Sequence, residues 1–147
     1  MAKFNYRMQS ILDLKVKLED QERTNYGLAN MRLQEEEEKL KTLALRRAGY
    51  EKQGREMRTD GVLDPRELET NRKAIEAMKV LIRAQMLEVR RGEKDVEAAR
   101  RRLQDAMQER KIHEKLRENA FEVFKEELEY DEKKAVDELV SYTYGVQ

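Results

Sequence analysis

Apolar residues recur along most of this chain at steps of three and four residues, which is the spacing of one face of an α-helix. The pattern predicts a first helix from about residue 8 to residue 58. Its early apolar positions are Met8, Ile11, Leu12, Leu14 and Leu18, and its later face runs through Tyr26, Ala29, Leu33, Glu36, Leu40, Leu43, Arg47, Tyr50, Gly54 and Met57. The interval between Leu18 and Ala29 is one heptad plus four residues, so we expect a stutter there that locally unwinds a left-handed supercoil.

A second helix is predicted from residue 65 to about residue 142, and its pattern is more regular. Large aliphatic residues recur every seven positions, like the a positions of a coiled coil; they are Leu68, Ile75, Ile82, Val89, Val96 and Leu103. The companion d positions are smaller or polar: Asn71, Met78, Gln85, Gly92, Ala99 and Ala106. Beyond Arg110 we expect the phase to slip, with an apolar stripe through Ile112, Leu116, Ala120, Val123, Phe124, Leu128, Ala135, Leu139 and Tyr142. The last residues, 141–147, are expected to fray.

Residues 59–64 separate the two helices and contain turn chemistry. Asp60-Gly61 is a turn signal, because glycine reaches positive φ without a Cβ clash. Asp64 is placed to cap the second helix, Pro65 suits its first position, and Glu67 would complete a capping box. A short link between long helices makes them antiparallel neighbours.

These elements predict an all-α fold with one domain over residues 1–147: two long helices forming an antiparallel coiled-coil hairpin, the second helix being longer. Folding about the turn sets residue i opposite roughly residue 123 − i, over a paired length on the order of 75 Å at ~1.5 Å per residue. In this register Gly92 would face Met31, and Gly27 would face Val96. The first helix would run out near residue 114, leaving an overhang of roughly 25–30 residues. The prediction is a rod.

Composition favours a helical rod over a globular domain. Charged residues make up 42% of the 147 residues, the mean hydropathy is −0.99, and there is one Pro and no Trp. Such a chain can bury a narrow seam but not a thick core. Lys plus Arg equals Asp plus Glu at 31 each, which gives no overall attraction to nucleic acid or to an anionic membrane. The absence of cysteine excludes disulfides and thiolate metal sites.

The N-terminal residues lack the continuous apolar run of a signal peptide. No stretch approaches the ~18 apolar residues that are needed to span a bilayer. We therefore expect a soluble, cytoplasmic protein.

No catalytic, cofactor-binding or metal-binding constellation is visible. His113 is the only histidine, and it falls at a d-type position, which favours a packing role over a role as ligand or base. Glu35–Glu38 would need a concave site that shifts their pKa to act as paired catalytic carboxylates, so a solvated face or an acidic docking strip is the better interpretation. Gly-rich phosphate loops, HExxH and EF-hand spacings are absent. We expect no cofactor, no small-molecule substrate and no enzymatic activity.

Basic residues are concentrated in the middle of the second helix: Arg90, Arg91, Lys94, Arg100, Arg101, Arg102, Arg110, Lys111, Lys115 and Arg117. On a helix they point in several directions, and acidic residues lie among them. Nucleic-acid binding would require one continuous basic face. An acidic protein partner is therefore preferred to nucleic acid.

Two groups of apolar residues exceed what one two-helix seam can cover. Near the turn they are Leu43, Leu45, Tyr50, Met78, Val80, Leu81 and Ile82, and at least one of the last three must face outward. At the open end they are Phe4, Tyr6, Met8, Ile11, Phe121, Val123, Phe124 and Leu128. Scattered surface aliphatics are ordinary, but clustered ones indicate partner surfaces. We expect one docking patch near the turn and another at the open end.

The opening Phe4-Asn5-Tyr6-Arg7-Met8-Gln9-Ser10-Ile11-Leu12-Asp13-Leu14-Lys15 resembles the start of flagellar FliJ proteins. These characteristically begin with an aromatic-x-aromatic-Arg-apolar-Gln-x-apolar-Leu-x-apolar-Lys pattern. The acidic helix that follows, the short turn and the length are also similar to that family. The resemblance implies a cytoplasmic, non-enzymatic component of the flagellar type III protein export apparatus. Members are antiparallel coiled-coil rods similar to the central stalk, or γ subunit, of rotary ATPases.

The resemblance also implies partners. The open end would insert into the hexameric flagellar export ATPase and promote its ring assembly and activity, through Phe4, Tyr6, Arg7, Met8, Ile11, Phe121 and Phe124. The turn-proximal region would contact the cytoplasmic domain of the membrane export gate FlhA, through Lys39, Leu43, Arg46, Tyr50, Ala74, Met78, Leu81 and Gln85. Arg46 and Ala74 stand where some members are aromatic. Export chaperones are further implied partners, and the protein would associate peripherally with the inner face of the cell membrane through the export apparatus.

Three classes of function remain open from the residues, and the export stalk is favoured. A generic coiled-coil scaffold or prefoldin-like chaperone would instead hold unfolded clients between helical arms, without any ATPase. The third class is a coiled coil that assembles with itself, pairing through its aromatic end, and its mass in solution would identify it.

Overall fold

Two α-helices dominate the protein. The computed structural model describes residues 2–61 and 63–145 and contains α1 (Gln9–Thr59) and α2 (Pro65–Gly145). The helices pack against each other, and no strand occurs in the described residues, so the prediction of an all-α helical hairpin with a longer second helix is confirmed. Helix α2 continues through Gly145, so the fraying predicted from residue 141 onward is not observed up to that residue; Val146 and Gln147 lie outside the described residues.

The turn is built as its sequence predicts. Gly61 has a φ of +72°, the left-handed conformation that glycine adopts without strain. The Oδ1 atom of Asp64 accepts a hydrogen bond from the backbone N–H of Arg66 at 2.9 Å, and its carbonyl accepts from Leu68 at 3.1 Å. The Glu67 side chain forms no hydrogen bond with any described residue. Asp64 therefore caps α2 alone, and the predicted capping box is incomplete.

The chain packs as two compact units. One, here named the terminal unit, consists of Met1–Glu22 and Leu103–Gln147, and the other, the turn unit, consists of Arg23–Arg102. Each unit contains a stretch of α1 packed on a stretch of α2.

The turn unit is held by a narrow seam. Every predicted seam residue of α1 from Tyr26 to Met57 is buried or half-buried, which confirms that face. On α2 the smaller d residues are the most enclosed: Asn71, Gly92 and Ala99 are buried, whereas the larger a residues are half-buried. The small side chains let α1 approach closely, and the a residues cover the edges of the contact.

Glycine positions show where the helices are closest. A Cβ at Gly92 would lie 3.1 Å from Cδ1 and 3.5 Å from Cα of Leu33, so the neighbour is Leu33 and not the predicted Met31. The predicted contact between Gly27 and Val96 is also wrong, because no packing atom lies within 4 Å of the Cβ position of Gly27. Its neighbour Tyr26 faces the seam, and successive residues of a helix are turned about 100° from each other.

Polar side chains at d positions form hydrogen bonds between the two helices of the turn unit. Asn71 Nδ2 donates to the backbone carbonyl of Tyr50 at 2.8 Å. Gln85 Nε2 donates to the backbone carbonyl of Glu36 at 2.9 Å and to its carboxylate at 2.5 Å. A polar group in a coiled-coil seam favours the one alignment in which it finds its partner. These contacts therefore fix the register of α1 on α2.

In the terminal unit the α1 side of the seam contains charged residues. Leu12 and Glu19 are buried and Lys15 is half-buried, whereas the apolar Ile11, Leu14 and Leu18 are exposed. The steps of three and four continue without interruption, so the predicted stutter is wrong. Glu19 occupies a seam position because its carboxylate accepts a hydrogen bond from Arg110 of α2. A buried charge is tolerated only when it is paired in this way.

The phase slip predicted on α2 is also wrong. Heptad positions remain half-buried at Arg110, His113, Ala120 and Phe124, whereas Ile112, Leu116 and Val123 are exposed. The seam keeps its phase because Arg110 and His113 fill positions that an apolar pattern does not show. All described side chains beyond Phe124 are exposed, so the predicted overhang exists but begins near residue 125.

Candidate functional site

Three phenylalanines form a cluster in the terminal unit. Phe4 precedes α1, and Phe121 and Phe124 lie on α2. The ring centroid of Phe4 lies 5.1 Å from that of Phe121, edge to face at 72°, and 5.5 Å from that of Phe124. Aromatic pairs of this geometry contribute about 0.5–1.5 kcal/mol beyond area burial. The cluster therefore fixes the non-helical N-terminal segment against α2.

Two cations lie over these rings. The guanidinium carbon of Arg117 is 5.4 Å from the centroid of Phe4, and the Nζ atom of Lys125 is 5.9 Å from the centroid of Phe121. Arg117 Nε also donates to Oε1 of Gln9 at 2.9 Å. Cations at these distances are attracted by the ring quadrupole. The aromatic cluster consequently has a basic rim.

A groove of about 450 Å³ adjoins the cluster, with the N-terminal segment as one wall and α2 as the other. Tyr6, Arg7 and Met8 belong to the first wall, and Met8 is 41% exposed. The Tyr6 hydroxyl is buried without a hydrogen-bond partner among the described residues, which is uncommon for a buried polar group. Ile11, in the first turn of α1, is 37% exposed. The residues predicted to bind the ATPase thus all lie in the terminal unit.

The residues predicted to bind the export gate form two rows in the turn unit. Both rows advance by four, three and four residues, a spacing that keeps side chains on one stripe of a helix. The rows are Lys39, Leu43, Arg46 and Tyr50 on α1, and Ala74, Met78, Leu81 and Gln85 on α2. Gln85 contacts Glu36 near the start of the first row, and Asn71 contacts Tyr50 at its end. The two antiparallel rows therefore lie side by side.

The turn-proximal end of these rows borders a groove of about 510 Å³. Tyr50 lines it from α1 and Ala74 lines it from α2, and Asn71 is part of its lining. Gln53 and Met57 extend the α1 wall toward the turn. The groove offers both apolar and amide surface to a partner.

The other end of the rows carries charge. Lys39 Nζ lies 3.3 Å from Oε1 of Glu36. The pKa of Glu36 is lowered from its ordinary value, chiefly by the hydrogen bond from Gln85 and secondarily by Lys39. Arg46 is exposed and forms no ion pair with any described residue. Lys39 is thus engaged with a carboxylate, and the other three glutamates of residues 35–38 are exposed beside it, so this end of the rows presents charge of both signs.

The exposure of apolar side chains near the turn agrees with the prediction from the sequence. Val80 is 61% and Leu81 47% exposed, whereas Ile82 is half-buried, which confirms that this triplet cannot be covered by one seam. Leu45 is 64% exposed on α1. Leu43, Tyr50 and Met78 are half-buried. Leu81 is thus the most exposed apolar member of the two rows.

His113 and the four glutamates of residues 35–38 are the titratable groups that the sequence singles out. His113 is half-buried with Nε2 4.0 Å from a carboxylate oxygen of Glu109, and its Nδ1 is buried without a partner in the described part of the chain. Glu36 faces Gln85, while Glu35, Glu37 and Glu38 are exposed. No group of three potential metal ligands occurs among the described residues.

Several contacts were not predicted from the sequence. The cation–π contacts of Arg117 and Lys125 depend on the placement of the N-terminal segment, which no helical pattern specifies. The contacts of Asn71 and Gln85 had a visible signal, since both are polar at d positions, but their partners are backbone carbonyls of α1. Polar residues at d positions are thus a usable sign of register contacts.

No helix in the described residues is long and apolar enough to cross a membrane. Comparison with curated proteins and with solved structures gives no match. The family model described as "Flagellar FliJ protein" matches residues 4–147, essentially the whole chain. The N-terminal motif and the helical hairpin agree with this match. The protein therefore belongs to the FliJ family, and it is a component of the flagellar export apparatus.

Proposed function

We propose that this protein is a non-enzymatic stalk that couples parts of the flagellar type III export apparatus. Its terminal unit binds the hexameric export ATPase and promotes ring assembly and activity. Its turn unit contacts the cytoplasmic domain of the export gate FlhA, and the protein also handles export chaperones. It is cytoplasmic and associates peripherally with the inner face of the cell membrane through these partners.

The proposal of ATPase binding rests on the aromatic cluster of the terminal unit. Phe121 remains 39% exposed although it packs against Phe4, and Met8 and Ile11 are similarly exposed. Aromatic residues, Met and Arg are enriched in the cores of protein interfaces, and few residues carry most of the binding energy. A surface that combines Phe121 and Met8 with Arg117 has this composition.

Substitution in the cluster tests this proposal. We expect Phe121→Ala to weaken binding to the export ATPase about tenfold or more, since a central aromatic contributes on the order of 2 kcal/mol. Tyr130→Ala is the matched control, because Tyr130 is 66% exposed on the same helix and takes part in none of the ring contacts of the cluster. Equal binding of both variants, with helix content preserved, would overturn the assignment of the ATPase surface.

The gate surface has its own pair of variants. Leu81 lies in the α2 row and is 47% exposed, whereas Leu28 lies outside both rows and is 45% exposed; both are leucines of the turn unit. We expect Leu81→Gln to weaken binding to the FlhA cytoplasmic domain by about 1 kcal/mol or more, and Leu28→Gln to leave it unchanged. A loss of binding for Leu28→Gln alone would place the gate contact on another face.

A further inference from the structure

The outer side of α2 in the turn unit carries a surface that is both apolar and basic. Val80, Arg83, Leu87, Arg90 and Lys94 advance by three and four residues and therefore share one stripe, here named the outer patch. Val80 is 61% and Leu87 58% exposed. The three cations are exposed, and none forms an ion pair with any described residue.

The outer patch lies away from α1. Gln85 and Val89 are half-buried toward the seam, and the patch residues between and around them occupy the opposite side of α2. Ala84 and Arg91 on one side of the patch are small or basic, and Glu93 lies on its other side, three residues from one patch cation. No carboxylate of a described residue forms an ion pair with the patch cations, and α1 of the same hairpin cannot cover the apolar pair.

A second exposed segment has the complementary chemistry. The tail helix, residues 126–145 of α2, is exposed along its whole length. Leu128, Ala135, Leu139 and Tyr142 fall on one stripe, and Leu139 and Tyr142 are 69% and 74% exposed.

The tail helix is acidic. It contains seven acidic and two basic residues, a net charge of −5. Asp131 and Glu132 lie on the two sides of its apolar stripe, and none of its carboxylates forms an ion pair with any described residue. The tail helix is thus an acidic amphipathic helix without a partner among the described residues.

We propose that the tail helix of one copy docks on the outer patch of a second copy. The two stripes have equal length, because residues 80–94 and residues 128–142 each span about 21 Å of helix. The aliphatic residues of both stripes become covered, and the carboxylates beside the tail stripe meet the patch cations. A continuous helix cannot pack against itself, so the contact requires another molecule. This contact goes beyond the proposed function and does not depend on it.

The geometry of the contact predicts the kind of assembly. The two surfaces differ, so the interface is heterologous, and each copy offers one patch and one tail. Heterologous contacts propagate from copy to copy unless the rotation closes a ring. The expected product is a series of oligomers whose size rises with concentration, rather than a two-fold dimer.

Sedimentation of the full-length protein tests the proposal. We expect the average mass to rise with concentration at an ionic strength of about 0.05 M and to fall toward the monomer at about 0.5 M, where exposed charges are screened. The patch variant Leu87→Glu/Arg90→Glu and the tail variant Glu132→Lys/Leu139→Gln should each weaken association about tenfold or more. Lys52→Glu is the control, because it reverses an exposed cation of α1 outside both surfaces and should associate normally.

Mixing the two variants distinguishes this contact from other forms of self-association. The patch variant keeps an intact tail, and the tail variant keeps an intact patch. An equimolar mixture should therefore form a 1:1 dimer that does not grow with concentration, while each variant alone is monomeric. A wild-type protein that stays monomeric, variants that associate like the wild type, or a mixture that stays monomeric would each overturn the proposal.

Discussion

Gly54 and Gly49 offer a sharp test of how the turn unit is packed. Both lie inside α1, but a Cβ at Gly49 would meet no packing atom within 4 Å beyond its own local helix backbone, whereas a Cβ at Gly54 would lie 2.5 Å from Oδ1 of Asn71. The same Asn71 donates to the carbonyl of Tyr50 at 2.8 Å. Alanine at Gly54 must therefore displace Asn71 from a contact that joins the two helices.

The magnitudes follow from these two environments. In an open helix interior, Gly→Ala stabilises by up to about 1 kcal/mol, so we expect Gly49→Ala to gain about that much. Displacing a buried amide from its hydrogen bond costs about 1–3 kcal/mol, which offsets or exceeds the same gain at Gly54. The two variants should differ by about 1–3 kcal/mol in the free energy of unfolding, with Gly49→Ala the more stable.

Urea titration followed by circular dichroism measures this difference. Both variants lie in the turn unit, so any separate unfolding of the terminal unit affects them alike. In an Asn71→Ala background the clash is absent, and Gly54→Ala should then stabilise by about 1 kcal/mol, which gives a coupling energy between the two sites. The reasoning is refuted if Gly54→Ala stabilises as much as Gly49→Ala, or if Asn71→Ala leaves its effect unchanged.

Three further predictions follow from individual contacts. Glu19→Ala should lower the free energy of unfolding by about 1–3 kcal/mol, because it removes the buried partner of Arg110; an unchanged urea midpoint would contradict this. The pKa of Glu36 is lowered, chiefly by Gln85, so its contribution to stability is present above the ordinary pKa of 4.5 and is lost as the pH falls through the lowered value. Stability measured against pH should thus fall less below 4.5 in Glu36→Gln than in the wild type, and parallel curves would refute the assignment. Charge reversal of Lys111 and Lys115 in the basic run should weaken ATPase binding more than it changes helix content, and unchanged co-elution at physiological salt would exclude that role.

The regular part of the fold could be predicted because its signal is local. The a residues from Leu68 to Leu103 repeat without a miss, and the Asp60-Gly61 and Asp64-Pro65 pairs mark the end of one helix and the start of the next. Helix caps and seven-residue repeats depend on neighbours in the sequence. These signals were sufficient for the hairpin and for the face of α1 from Tyr26 to Met57.

The seam of the terminal unit was harder to predict because it contains charged residues that pair across the two helices. Glu19 is buried only because Arg110 reaches it across the unit, and a pattern of apolar residues cannot show such a pair. Ile11, Leu14 and Leu18 carry the apolar signal but are exposed, so the apolar pattern alone predicts a stutter that the structure does not contain. The excess of apolar residues predicts the two docking patches, whereas the partners and the individual binding residues depend on the family resemblance. The structure adds the exposure of each side chain.

ATP hydrolysis by the matching flagellar export ATPase, with and without this protein, tests the stalk account most directly. We predict that the full-length protein stimulates hydrolysis, and that Phe121→Ala and a deletion of residues 1–18 lose the stimulation while Tyr130→Ala keeps it. If both altered proteins still stimulate hydrolysis, the aromatic cluster is not part of the contact with the ATPase. Absence of stimulation and of co-elution, from a protein shown to be helical, would contradict the account and favour a scaffold or chaperone.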